Sequence, residues 1–267
     1  MKTNPAMKTQ PHFGSSPVQR QRGYSLIEIL VALLVALFLL AGLGTMVAGT
    51  RKTSTNQTSL AQLQDEERLA MSMLNDVIQT AGYFDTNTYW TAAAAFPTAV
   101  TTSGTSTAAT LAAGQFIGGA HTSITTPDTI AVRYGTSGTD GVINCNGGTA
   151  TAAATYTNFF FVNTTTTPYQ LQCSTDANAA DAVTLVNNVV NLQIWYGVST
   201  TAGTANVDTY MTAAQVATAT DWTHVTSVKV TLTFNNPLYG QPGQAQYAFF
   251  TRIITLQSQA GSTFAAT

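Results

Sequence analysis

Residues 24–48 (YSLIEILVALLVALFLLAGLGTMVA) form a nearly unbroken apolar run, which must be read as a transmembrane or signal segment before anything else. As a helix rising about 1.5 Å per residue, it is long enough to cross a hydrocarbon core roughly 30 Å thick. Lys2, Lys8, Arg20 and Arg22 precede it with no acid among them, and Arg51 and Lys52 follow it. That modest bias predicts a cytoplasmic N-terminus, with the rest of the chain facing outward. An ordinary secretory signal is instead cut after its apolar stretch beside small residues, and 41–49 (AGLGTMVAG) mimics such a site. The run is longer than the usual core of a signal peptide, which favours its retention as an anchor.

Arg22-Gly23-Tyr24-Ser25-Leu26-Ile27-Glu28 stands at the border between the basic leader and the apolar helix. A carboxylate this far into an apolar span costs about 2.5–3.5 kcal/mol near a helix centre on insertion scales, less near the interface, and is rarely without a partner. Glu28 therefore implies either a counter-charge or a side chain that snorkels to the headgroups. The arrangement resembles the type III signal of prepilins, in which a membrane aspartic peptidase cuts after the glycine on the cytoplasmic side and methylates the new amine. That resemblance implies that Gly23 and Tyr24 flank the processing site and that the helix is kept. It also implies that Glu28 pairs during assembly with the α-amino group freed at Tyr24 of a neighbouring subunit. Two positions depart from the commonest pattern: Tyr24 stands where Phe is usual, and Thr45 stands where major pilins often carry a helix-kinking Pro, which points to a minor subunit. The leader is longer than usual for such proteins, leaving Met7 as an alternative start.

From Thr53 to Ala81 the chain has no Pro or Gly. Leu60, Leu63, Met71, Leu74, Ile78 and Ala81, with Ala70 and Val77 beside them, recur at spacings of three and four, the mark of one apolar face of an amphipathic helix. Asp65, Glu66 and Arg68 fall off this stripe and Glu67 is its exception; Gly82 then supplies a C-terminal stop. An unbroken helix from Tyr24 to Ala81 would be about 87 Å long, with Gly42, Gly44 and Gly49 expected to loosen it locally. The organisation that follows is a cleaved leader over 1–23, a transmembrane and assembly helix over 24–50, its amphipathic continuation over 51–82, and a β-rich head over 83–267.

Charged residues make up only 8% of the chain, against roughly a quarter in an average soluble domain. With its basic residues concentrated in the leader, the remainder is acidic and offers no electrostatic footprint for nucleic acid. The two cysteines, Cys145 and Cys173, lie far beyond the apolar run and lack CxxC spacing. They read as a disulfide formed in an oxidising compartment rather than as a zinc or redox site, with two buried free thiols as the open alternative.

The head reads as antiparallel β-sheet with Thr-rich loops. Residues 91–114, rich in Thr, Ala, Ser and Gly, are expected to be an irregular exposed loop. Branched and aromatic runs predict strands at Thr129–Tyr134, Asn158–Asn163, Val189–Val198, His224–Phe234 and Tyr247–Leu256. In the fourth, Val228, Val230, Leu232 and Phe234 alternate with Lys229, Thr231 and Thr233, as in a half-buried strand. Segment 207–222 is expected to hold a short helix. A long helix, a loop and then antiparallel strands make an α+β class.

Gln79-Thr80-Ala81-Gly82-Tyr83, the run from Leu185 to Gly197 (LVNNVVNLQIWYG), Asn144-Cys145-Asn146-Gly147 with Leu171-Gln172-Cys173, Val225–Phe234 and Phe249–Leu256 together resemble the PilW family of minor type IV pilins. Membership implies a pilin-like fold and a low-abundance subunit that, with other minor pilins and the major pilin, primes a filament and sits at or near its tip. It further implies prepilin peptidase, membrane lipid, the inner-membrane assembly platform and a tip adhesin as partners, and motility and adhesion as the outcome. The cell compartment implied is the inner membrane, with the head in the periplasm, and then the extracellular pilus.

Other classes fare less well. His12, His121 and His224 are scattered without metal-ligand spacing, and no nucleophile, zinc-protease or phosphate-loop motif occurs. The chain is therefore expected to be neither an enzyme nor a binder of metal or cofactor. Asp140, Asp176 and Asp181 suit turns. A surface-binding module using Trp90, Trp195 or Trp222 is compatible with a pilin, although buried core aromatics are the commoner case. A pseudopilin of a type II secretion system shares signal, helix and head plan.

Overall fold

The computed structural model describes residues 23–103, 106–175, 181–201, 206–219 and 222–259, by backbone alone at 101–103 and 106–108. The leader up to Arg22, and with it His12, lies outside the described residues, as does Asp176. The chain divides into two units, 1–54 and 55–267. Helix α1, Leu26–Gln79, begins in the first and ends in the second.

In the first unit every described residue is exposed. Gly42, Gly44 and Gly49 do not interrupt the helix, contrary to the expected loosening. Thr45, Thr50 and Thr53 donate their hydroxyls to the carbonyls of Gly42, Met46 and Gly49 at 2.8, 2.9 and 3.0 Å, so these side chains carry no unpaired donor into an apolar medium. α1 is the one candidate membrane span among the described residues.

In the second unit α1 buries Leu63, Ala70, Met71, Leu74, Val77 and Ile78, whereas Leu60 stays exposed and Glu67 is half-buried. The helix ends at Gln79, and Gly82 follows with φ +78°, a left-handed conformation that glycine adopts without a Cβ penalty.

Eleven strands follow among the described residues. β1 (Ala99–Ser103) and β2 (Ser106–Leu111) pair antiparallel. β3 (Ile117–Ala120), β4 (Thr129–Thr136), β5 (Ala154–Asn163), β6 (Gln170–Ser174) and β7 (Val183–Asn187) form a five-stranded antiparallel sheet in chain order. β8 (Val189–Val198), β9 (Thr209–Met211), β10 (Val225–Asn235) and β11 (Tyr247–Thr255) form a second, in the order β11-β10-β8-β9. Asn188 alone separates β7 from β8, and its φ of 63° turns the chain from one sheet into the other. A short helix α2 (Ala92–Ala95) precedes β1, and α3 (Ala213–Ala219) fills part of the segment expected to be helical.

Residues 91–114, expected to be an irregular exposed loop, instead hold α2 and the β1–β2 pair. Their Val and Thr content supports a hairpin, and the hairpin has a packing task. Leu111, fully buried, joins Ala131, Phe159 and Phe161 in a small cluster apart from the main core. Phe160 and Val162, on alternate positions of β5, enter the main core with α1 and the second sheet. Both faces of the β4–β5 pair are thus covered. In β10, Val228, Val230, Leu232 and Phe234 are fully buried, as their alternation predicts.

Asp128 ties the two sheets together. Its amide donates to the Leu192 carbonyl at 2.7 Å, its carboxylate accepts the Ile194 amide at 2.8 Å, and His121 Nδ1 lies 2.8 Å from its other oxygen. Burial raises the Asp128 carboxyl above its ordinary value, with the Ile194 amide and His121 opposing. The folded state thus holds this proton at a pH where the unfolded chain has released it. Stability falls as pH rises through the window that opens at the ordinary aspartate value, about 4, and closes at the raised folded value. An Asp128→Asn variant removes this titration, so its unfolding free energy gains on the parent across that window; parallel pH profiles would count against the assignment.

Candidate functional site

Gly23, Tyr24 and Ser25 precede the first helical residue. The Glu28 and Ile29 amides donate to the Ser25 carbonyl at 3.0 and 3.3 Å, which makes Ser25 the residue capping the helix. Ser25-Leu26-Ile27-Glu28 has the Ser-x-x-Glu spacing of a capping box. Glu28 is the acidic residue of the first turn, where the partial positive charge of the helix end favours a carboxylate.

Tyr24 is 79% exposed. A Cβ built on Gly23 meets no atom within 4 Å, and its φ lies outside the positive range. Nothing among the described residues therefore demands glycine at position 23. The apolar side chains beyond it are equally bare: Leu26, Phe38 and Met46 are 78%, 78% and 72% exposed. Water cannot be the resting solvent for such a surface, since each fully buried large apolar side chain is worth about 1.5–3 kcal/mol relative to exposure.

In the head, Cys145 and Cys173 form a disulfide with Cα atoms 6.3 Å apart, within the usual range. Cys173 lies on β6. Cys145 sits within a turn held by Asn144, whose side-chain oxygen accepts the Asn146 and Gly148 amides at 3.0 and 2.9 Å. The Cys145 amide donates to the Asn158 side chain at 2.8 Å, anchoring the bridge to β5.

Arg133, in the apolar run of β4, was not singled out from sequence, although a lone charge between Val132 and Tyr134 was the available signal. It is 1% exposed and donates to the carbonyls of Gln115 and Ala112 at 3.1 and 3.4 Å and to that of Pro97. Burial lowers its guanidinium to about 10. Its partners are backbone carbonyls flanking the hairpin and entering β3, a structural role.

The aromatic candidates divide. Trp90 is 92% exposed. Trp195 lies beneath Lys229 Nζ at 4.7 Å from its ring centre, and Trp222 packs edge-on against buried Tyr196. Asp140 occupies a turn, accepting the Thr136 hydroxyl and the Ser137 and Val142 amides.

The family model described as type IV pilus-assembly protein W matches residues 158–260. The prokaryotic N-terminal methylation motif matches residues 18–44. No curated protein and no solved structure matches the chain.

Proposed function

From the premise that this chain is a pilin of the PilW family, carrying the N-terminal methylation motif ahead of a PilW-type head, we propose that it is a minor, non-enzymatic subunit. In this reading it helps prime a type IV pilus and occupies a position at or near the tip. The observation that carries the reading is the junction at Gly23: the methylation motif spans it, while the fold asks nothing of that glycine. Prepilin peptidase cuts there. The helix stays in the inner membrane with the head in the periplasm until other pilins and the assembly platform take it into the filament. Twitching motility and adhesion then belong to the assembled machine.

Mass spectrometry of the mature N-terminus tests this, with N-methyl-Tyr24 as the expected first residue. A mature chain starting beyond residue 40, or one retaining its leader, overturns it. Disrupting the gene should remove surface pili; loss of protein secretion with pili intact would favour a secretion pseudopilin.

Glu28 gives a second test. Its charge is supplied with a counter-ion when the amine freed at Tyr24 of a neighbour comes within reach, so both are satisfied in the filament. Glu28→Leu should insert into the membrane and be processed normally, yet be recovered in sheared filaments at a small fraction of the parent level. Glu28→Gln keeps the size and shape of the side chain and removes its charge. Equal filament recovery for the Glu28→Gln variant and the parent would remove charge pairing at Glu28 from the account.

A further inference from the structure

Strand β11 ends its sheet, and two bonds fix which of its residues face the open edge. The Leu256 amide donates to the Thr226 carbonyl at 2.9 Å, and the Asn236 amide donates to the Gln246 carbonyl at 2.9 Å. Both lie in phase with the register running from Ser227↔Thr255 to Asn235↔Tyr247. In an antiparallel ladder the N–H and C=O of a residue point the same way and alternate along the strand. Ala248, Phe250, Arg252 and Ile254 therefore bond to β10. Tyr247, Phe249, Thr251, Ile253 and Thr255 turn their N–H and C=O to the open edge.

The same outward residues carry exposed apolar side chains, with Phe249 67% and Ile253 58% exposed. Arg252 is the only charge on the strand. A long, apolar, open edge is a template for pairing with another strand unless it is blunted.

We propose that β11 pairs antiparallel with β11 of a second copy of this chain, about a two-fold axis through Thr251. Thr251 is the midpoint of Tyr247–Thr255, so this axis gives the longest overlap. It sets Thr251 opposite itself, Phe249 opposite Ile253 and Tyr247 opposite Thr255, each a hydrogen-bonded pair, for about ten new backbone bonds. Threonine pairs and aromatic against β-branched pairs are favourable neighbours across a ladder. Arg252 meets Phe250 of the other copy and not its own counterpart, so like charges never coincide and the cation finds an aromatic ring. The contact is isologous and closed, joining two four-stranded sheets into one and leaving no further edge at this end. The pairing calls on neither Gly23 nor Glu28, so its failure leaves the pilus reading standing, and the reverse.

The native cysteines are both consumed by the disulfide, which leaves an introduced thiol alone. In the full chain purified in detergent, Thr251→Cys should form a disulfide-linked dimer on mild oxidation, because hydrogen-bonded antiparallel pairs bring Cα atoms to about 5.5 Å. Thr255→Cys, on the same exposed edge, should remain monomeric by itself and link only when mixed with Tyr247→Cys. Thr251→Pro removes an outward N–H and spares the β10 ladder; it should abolish the dimer in light scattering while leaving the circular dichroism spectrum unchanged. Equal linking of Thr251→Cys and Thr255→Cys, absence of linking while the thiol reacts fully with maleimide, or linking only to a different protein would each overturn the proposal.

Discussion

A Gly23→Val variant accumulates as a full-length, membrane-held precursor, with no mature band and no contribution to filaments. Two observations make this the clearest outcome available. The fold has room for the side chain, since a Cβ at Gly23 meets nothing within 4 Å, and Gly23 precedes the helix and stands outside its hydrogen bonding. Helix formation and insertion are thus untouched, and a failure to mature reports on the peptidase and not on misfolding. The apolar run retains its length, so precursor and parent should extract from membranes under the same detergent conditions. A mature product of ordinary mass from the Gly23→Val chain would remove the peptidase from the account.

The bridge between Cys145 and Cys173 gives the second large expected effect, on stability. The linked residues are 28 apart in sequence, and closing a loop of that size stabilises a fold by roughly 3–4 kcal/mol in the chain-entropy picture. The bridge is also packed: Cys145 is 5% exposed and Cys173 fully buried. Replacing both with Ala should lower the denaturation midpoint of the head by an amount corresponding to about 3–4 kcal/mol. Reduction of the parent should give a comparable loss, since it opens the loop while keeping both side chains. A double variant with unchanged unfolding in denaturant would mean that the loop is closed equally well by packing.

How much of this was readable beforehand follows from the range of the forces involved. α1 and β10 declare themselves through periodicity, because an apolar stripe on a helix or an alternation on a strand is a local record of which side is buried. β8 and β11 were likewise found nearly to the residue from their branched and aromatic content. β6 was missed although Leu171 and Cys173 alternate with Gln170 and Gln172, since five residues give too short a pattern to stand out. The hairpin of β1 and β2 was hidden by low-complexity composition, and its purpose, placing Leu111 over Ala131 and Phe159, is non-local. The same holds for the change of sheet at Asn188 and for Arg133, whose carbonyl partners come from residues 97–115. In the N-terminal segment the reverse applies: residues 23–28 (GYSLIE) are a short local string inside the stretch matched by the methylation motif, so the resemblance is legible there even where the folded geometry leaves the side chains bare.

The covalent clasp in the head has a mechanical corollary. Polypeptide between positions 145 and 173 cannot be drawn out lengthwise by a load applied to the chain ends, because the load passes through sulfur instead. About 95 Å of contour, at roughly 3.3–3.6 Å per residue, is thereby withheld from extension, and β5 lies wholly within it. A load on the chain ends would lengthen the polypeptide elsewhere and leave this loop, with β5 inside it, unextended.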